Sequence, residues 1–282
     1  MSSNGSISKL VVATDGSVYG DVAAECSAWM AARLGAEITA LYVIDARRLA
    51  GHFITHLSEI LDSFPAKTLT DRVREYYRRQ GMAALARASS ICEHNGVKCQ
   101  TNLETGNVVK IISDAAADAD LLVIGERGED EEFETGFLGS VAEKLVRKVT
   151  RPVLLTGLKL REFRRALLAY DGSEAAQRAM KTLARLATAL NMEVEAVQMI
   201  EEGEDTTVLK EVVTYFKDFP VRVSIHYLVC DSHAAIIDHV KEKNCDLLVM
   251  GAFDNEAADA IALGTTTEYL MRNSPVPVLV HH

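Results

Sequence analysis

Short apolar runs alternate with amphipathic stretches along the whole chain. The runs at residues 9–14, 37–45 and 121–124 are stopped by glycine or polar residues, a pattern typical of buried strands. After the first run, the apolar residues from Val22 to Leu34 recur at helical spacing. Strands that alternate with helices favour a mostly parallel sheet covered by helices, so we predict an α/β fold.

The rest of the first half follows the same alternation. Residues 46–95 have a helical pattern in two pieces, which the proline of residues 63–65 separates. A strand at 97–103 and a helix at 108–116 come next, and residues 151–156 form a closing run. The proline in that run fits an edge strand, yet its apolar side chains indicate an edge that needs a partner.

The whole scheme then starts again. The first strand and its Asp-Gly-Ser turn recur with Asp171 in the position of Asp15, and the closing run recurs at 276–280. We therefore predict two tandem domains, residues 1–157 and 163–282. If the two closing runs pair with each other, one chain covers both edges.

The second copy is shorter than the first. The offset between equivalent residues is 156 for Asp15 and Asp171 but 126 for Gly125 and Gly251, so 30 residues are missing between these points. We expect the loss between the second and third strands. Only one helix, at about residues 205–219, has room there.

A glycine loop connects the strand at 121–124 to a predicted helix that begins near Ser140. Gly125, Gly128 and Gly139 let the backbone approach a ligand, and Ser140 places a hydroxyl beside the N–H groups of the helix start. Such a helix N-terminus attracts phosphate. The alternative is that the glycines only turn the loop.

A degenerate copy of this loop occurs in the second half, with Gly251, Gly264 and Thr265 retained and Asp254 in place of the middle glycine. Here the sequence resembles the universal stress protein family, whose nucleotide-binding members carry Gly-x2-Gly-x9-Gly-Ser/Thr after the fourth strand. The first copy departs from that motif by having ten residues before Gly139. The resemblance covers nearly the whole chain, twice.

The resemblance implies two tandem flavodoxin-like (Rossmann-like) domains, each a five-stranded parallel sheet with helices on both faces. It also implies a dimer-like pairing of the two domains through their fifth strands, and leaves open a further homodimer. In the first domain it implies an ATP site. The residues that match this site are Ala13, Asp15, Val43, Ile124, Gly125, Arg127, Gly128, Gly139, Ser140, Val141 and Ala142.

Two of these positions have their own arguments. Asp15 follows the first strand, and open α/β sheets place their ligands at the carboxyl ends of strands. The alternative is that Asp15 or Ser17 only caps the next helix. At the position of Val43, the resemblance implies that backbone groups meet the adenine ring.

Composition and charge limit the partners. The chain has 282 residues, a formal charge of −10 and a pI near 5.3, which predicts no nucleic-acid or membrane partner. Five scattered cysteines without a C-x-x-C pair, and a polar N-terminus, predict a reduced cytoplasmic protein that is neither secreted nor anchored. His52 and His56 have the spacing of two metal ligands on a helix, but no cysteine or clear carboxylate partner is implied nearby, so an exposed helix face or part of an interface is the favoured interpretation and we predict no metal site.

Three functions fit these observations. The first is a stress-response protein that binds ATP in its first domain as a regulatory ligand. The second is a weak ATPase, although the sequence contains no Gly-x4-Gly-Lys-Ser/Thr and no Gly-x-Ser-x-Gly motif. The third is a ligand-free interaction scaffold.

The first glycine loop also carries five carboxylates, Glu129, Asp130, Glu131, Glu132 and Glu134. Such a run is commonly just solvated. The alternative is that it repels ATP unless Mg²⁺ stands between these carboxylates and the phosphates. In that case, removing Mg²⁺ weakens ATP binding by about tenfold or more, as an affinity titration with and without chelator would measure. Equal affinities would contradict the Mg²⁺ hypothesis.

We expect Asp254 to weaken ATP binding at the second loop, because its carboxylate would repel the phosphates. Like charges ~4 Å apart cost about 4 kcal/mol at an effective dielectric near 20. We predict one ATP per chain, and two per chain after Asp254→Gly, measured as binding stoichiometry by calorimetry. The contrary outcome is two ATP molecules bound before the substitution.

Overall fold

The computed structural model describes residues 6–49, 66–128, 138–200, 207–229, 232–252 and 265–282. The predictions that concern His52, His56, the acidic run 129–134, Asp254 and Gly264 fall outside these ranges.

The first half alternates strands and helices as predicted. Its elements in order are β1 (Lys9–Ala13), α1 (Val18–Leu34), β2 (Glu37–Asp45), α2 (Ala46–Leu49), α3 (Ala66–His94), β3 (Cys99–Gly106), α4 (Val108–Ala117), β4 (Leu121–Gly125), α5 (Ser140–Lys148) and β5 (Val153–Thr156).

The second half repeats this order. Its elements are β6 (Arg165–Ala169), α6 (Glu174–Leu190), β7 (Glu193–Ile200), α7 (Leu209–Phe216), β8 (Val223–Val229), α8 (Ala234–Glu242), β9 (Leu247–Gly251), α9 (Thr265–Asn273) and β10 (Val278–His281).

All ten strands form one sheet, in the order β3-β2-β1-β4-β5-β10-β9-β6-β7-β8. Neighbouring strands are parallel within each set of five. The exception is the central pair, β5 and β10, which run antiparallel with Leu154 opposite Leu279. The predicted α/β fold and the predicted pairing of the closing strands are confirmed. Neither closing strand is an edge, because each covers the other.

The helices cover both faces of the sheet, as predicted. On one face, α1 and α3 of the first half share a core with α6 and α7 of the second half. On the other face, α4 and α5 share a core with α8 and α9. Trp29 packs edge to face on Phe163 across the two halves, with ring centroids 5.4 Å apart. Each core is therefore continuous across the join, which ties the two halves together.

The Asp-Gly-Ser turn has the same geometry in both halves. The Ser17 hydroxyl accepts a hydrogen bond from the N–H of Gly20 at 3.1 Å, and Ser173 does the same for Ala176 at 3.1 Å. Each serine is therefore the N-cap of its helix. The middle glycine has a positive φ of 86° at Gly16, a conformation that favours glycine.

Two boundaries differ from the prediction. The third strand runs over Cys99–Gly106 instead of residues 97–103. Its polar, mostly exposed side chains do not mark the end of the strand, whereas backbone pairing continues to Gly106 opposite Asp45. The single helix predicted at about 205–219 is α7, over Leu209–Phe216. In the part of the chain that the structure describes, no helix is long and apolar enough to cross a membrane.

Gly251 is expected to be required for packing of the second half. A β-carbon there would lie 2.7 Å from the backbone nitrogen of Ala176, so Gly251→Ala must shift backbone. We predict a loss of about 1–3 kcal/mol in the free energy of unfolding, measured by urea denaturation.

Gly157→Ala is the matched control, because the nearest contact of an added β-carbon is an ordinary 3.7 Å to the Glu126 side chain. It should change stability by less than about 0.5 kcal/mol. Equal stability of the two variants would refute this account of Gly251.

Candidate functional site

A cavity of about 500 Å³ lies at the carboxyl ends of β1, β2 and β4. The structure brings all eleven predicted site residues to its wall. They come from three strands, the turn after β1, the loop after β4 and the first turn of α5. They are Ala13, Asp15, Val43, Ile124, Gly125, Arg127, Gly128, Gly139, Ser140, Val141 and Ala142.

Asp15 is held by the turn that starts α1. One of its carboxylate oxygens, Oδ1, accepts hydrogen bonds from the N–H of Ser17 at 3.0 Å and from its hydroxyl at 2.6 Å. Arg87 fixes the same turn by donating to the carbonyl of Gly16 at 2.9 Å. The two interpretations of this turn are therefore compatible: Ser17 caps the helix, and Asp15 is oriented at the cavity wall.

Gly125 and Gly128 are needed where two segments approach each other closely. A β-carbon on Gly125 would lie 2.7 Å from the β-carbon of Tyr19 in α1. A β-carbon on Gly128 would lie 2.7 Å from Oδ2 of Asp15. Gly125 is therefore required for packing against α1 whether or not a ligand binds, as Gly251 is required for packing against α6. Gly128 brings the loop backbone next to Asp15, inside the cavity.

The N-terminus of α5 opens on the cavity. Gly139 is its N-cap and makes no side-chain cap, in contrast with Ser17 and Ser173 at the starts of α1 and α6. The N–H of Gly139 donates to the carbonyl of Glu126 at 2.8 Å, which fixes the helix start beside β4. The helix end carries a partial positive charge and donors that suit an anion.

The other end of the cavity is apolar. Leu41, Val43 and Ile124 line it from the sheet, and Ile112 and Leu145 line it from α4 and α5. Four of these side chains also belong to the core on that face of the sheet, and Val43 packs against it. The cavity therefore combines an apolar pocket with a donor-rich helix end, the combination that a molecule with a flat ring and an anionic tail requires.

Sequence reasoning missed five charged or aromatic residues of the wall, Tyr42, Asp45, Arg47, Arg48 and Tyr77. Arg47 forms an ion pair with Asp45 at 2.6 Å, and this hydrogen bond holds the pKa of Asp45 below its usual value. The Arg48 guanidinium lies 5.5 Å from the centre of the Tyr77 ring. The available signal was position, because both arginines directly follow the carboxyl end of β2.

Glu126 lies next to the wall and supports the loop through its backbone. Its N–H donates to the carbonyl of Thr156 at 2.9 Å. Burial raises the pKa of the Glu126 carboxyl, while the charge of Arg127 opposes the rise. The residue thus fixes the base of the glycine loop.

The sequence model of the Universal stress protein family matches residues 6–157 and 208–282, which include every strand of the first half and the last three strands of the second. The chain belongs to the universal stress protein family. The family match includes all eleven residues of the cavity wall named above.

One relative within the family covers nearly the whole chain, and another covers about half of it. Universal stress protein Slr1230 of Synechocystis sp. (strain ATCC 27184 / PCC 6803 / Kazusa) is 25% identical over 281 residues, 96% of this chain and 98% of that protein. Universal stress protein MJ0531 of Methanocaldococcus jannaschii is 31% identical over 149 residues, 52% of this chain and 80% of that protein.

A solved structure supports the architecture. The crystal structure of a universal stress protein from Archaeoglobus fulgidus DSM 4304 has a TM-score of 0.77 and 23% identity, and the match covers 100% of this chain and 99% of that one. At this identity the likeness shows the fold alone. The two-domain universal stress protein architecture is therefore shared along the full length.

Proposed function

We propose that this universal stress protein binds ATP in the cavity of its first domain, as a regulatory ligand in a cytoplasmic stress response. The observation that carries the proposal is the meeting of the N-terminus of α5, where the N-cap residue Gly139 has no side chain, with an apolar pocket at the carboxyl ends of β2 and β4. At about 500 Å³, the cavity also falls within the usual range of about 300–1,000 Å³ for small-molecule sites.

The triphosphate would lie at the start of α5. Gly139 contributes no side chain there, so phosphate oxygens have access to the backbone of residues 139–142. Arg127, Arg47 and Arg48 add positive charge on the same wall. These features together offset the cost of taking several negative charges out of bulk water.

The adenosine would lie at the apolar end. Val43 in β2 and Ile124 in β4 belong to the two strands that flank β1, so a flat ring would lie across the carboxyl end of β1. Asp15 carries a carboxylate, which accepts hydrogen bonds and repels phosphate. Its expected partner is therefore a hydroxyl or amino group of the nucleoside, not the triphosphate tail.

Ligand binding explains the cavity better than hydrolysis. Among the described residues, two carboxylates line the wall: Asp15 accepts two hydrogen bonds from Ser17, and Asp45 is paired with Arg47. A general base must instead reach the water that it activates. Slow ATP hydrolysis stays the alternative function, and a multiple-turnover assay distinguishes it. A scaffold without any ligand is the third possibility, which the next experiment tests.

The proposal assigns different roles to the two predicted domains. Residues 1–157 bind the nucleotide, and residues 163–282 form a degenerate domain whose loop carries Asp254 in place of a glycine. The antiparallel pairing of β5 with β10 makes the chain an intramolecular pseudo-dimer. Further homodimerisation would have to use another surface, since each of these strands already has two neighbours.

ATP should raise the melting temperature of the protein, because a ligand that binds only the folded state stabilises it. Val141→Asp should remove this shift and weaken ATP binding by more than about tenfold, since it places a carboxylate where the phosphates are proposed to lie. An acidic residue in the first turn does not oppose the helix itself, so the variant should fold.

Thr266→Asp is the matched control, because Thr266 occupies in α9 the position that Val141 occupies in α5. This variant should keep the full ATP-induced shift. The proposed function would be overturned if ATP left the melting temperature of the wild-type protein unchanged. It would also be overturned if the Val141→Asp variant bound ATP normally.

A further inference from the structure

Three potential metal ligands meet in the second half, far from the ATP cavity in sequence and on different elements. They are Glu195 of β7, His226 of β8 and His239 of α8, and one ligand atom from each lies within 4.8 Å of the others. The Nε2 atom of His226 is 2.8 Å from Oε2 of Glu195. The rings of His226 and His239 have centroids 4.8 Å apart.

The fold explains why they meet. Val197 pairs with His226 in the parallel register of β7 and β8, and Glu195 precedes Val197 by two residues, so all three share one face of the sheet. Val197 belongs to the same core as Ile236 and Val240 of α8. The helix therefore packs on this face and brings His239 against the two strands.

His239 has a polar atom that the fold leaves unsatisfied. The residue is only 7% exposed, and its buried Nε2 has no hydrogen-bond partner among the described residues. A buried polar group without a partner costs about 1–3 kcal/mol. Burial also lowers the pKa of His239.

The spacing of the ligand atoms suits a small ion. A tetrahedral zinc ion with bonds of about 2.0–2.1 Å holds its ligand atoms roughly 3.3 Å apart. The observed separations, from 2.8 Å to at most 4.8 Å, bracket this value, so side-chain rotations suffice. The His226 side chain is 33% exposed and the Glu195 side chain 12%, which leaves a route from solvent.

The nearby cation is engaged elsewhere. Arg165 lies within electrostatic reach of Glu195. However, its guanidinium donates to Glu193 at 2.7 Å and to the carbonyl of Lys243 at 2.7 Å. The Glu195 carboxylate therefore contacts His226 and is available to an ion that binds in the cluster.

We propose that Glu195, His226 and His239 form a binding site for a divalent first-row transition ion such as Zn²⁺. Two imidazoles and one carboxylate are a ligand set that zinc uses in sites with an open position, whereas Mg²⁺ and Ca²⁺ prefer oxygen ligands alone. The site belongs to the second domain and stands whether or not the first domain binds ATP. The competing explanation is a Glu195–His226 hydrogen bond beside a buried histidine, with no ion.

Co²⁺ is the probe, because its visible absorption reports the coordinating atoms, and Zn²⁺ should displace it. The metal-free protein should bind one equivalent of Co²⁺ that depends on this cluster. Second-shell substitutions weaken metal binding by roughly 10–100-fold, so replacing a ligand should cost at least about tenfold. Glu195→Gln and His226→Gln each remove one ligand, and His226 is the more exposed of the two.

His94→Gln is the control, because it removes an exposed histidine from α3 in the other domain. It should leave Co²⁺ affinity unchanged, which separates this site from binding by other histidines. Circular dichroism without metal checks that each variant folds. The proposal is overturned if wild-type protein binds no Co²⁺, or if folded His226→Gln protein binds it as tightly as wild type.

Discussion

The strand order around β1 is the constraint on which the candidate nucleotide site depends. β1 lies between β2 and β4, and all three strands are parallel, so their carboxyl ends meet at one edge of the sheet. The chain then leaves β1 towards one face through α1 and leaves β4 towards the other face through α5. This divergence opens the crevice in which parallel α/β sheets bind their ligands. Gly125, Gly128 and the glycine N-cap of α5 then shape a space that the topology already provides.

The antiparallel pair β5–β10 adds the second level of organisation. It continues one sheet through both halves and places corresponding helices on the same face, so that each core crosses the join. The two halves share the same architecture, but each places its own side chains at its own candidate site. In the first half, side chains converge at the carboxyl ends of the strands. In the second, Glu195, His226 and His239 converge within the layer between sheet and helix.

Much of the fold was predictable because buried parallel strands are short, apolar and separated by helical periodicity. β2 has the predicted bounds, Glu37–Asp45, and the internal repeat predicted the pairing of the closing strands. The end of β3 was not predictable, since its side chains are polar and its bounds depend on pairing with β2. Apolar patterns indicate buried segments, and they do not mark the ends of an exposed strand.

The two candidate sites also differed in how far the sequence predicted them. A local motif marks Gly125, Arg127, Gly128 and residues 139–142, and the structure brings these residues to one cavity. Arg48 and Tyr77 were missed, because their contact joins residues from α2 and α3 that no motif links. Glu195, His226 and His239 were missed for a similar reason: strand register and helix packing place them together over 44 residues of sequence.

The central claim, that main-chain donors at the start of α5 receive the anionic tail of one adenine nucleotide, is tested most directly by an ATP titration followed in backbone amide NMR spectra. The account predicts saturable shifts for the amides of Ser140, Val141 and Ala142, with none for Thr265, Thr266 and Thr267 at the corresponding start of α9. Unchanged amide resonances at residues 140–142 with saturating ATP, or equal shifts at the two helix starts, would contradict it.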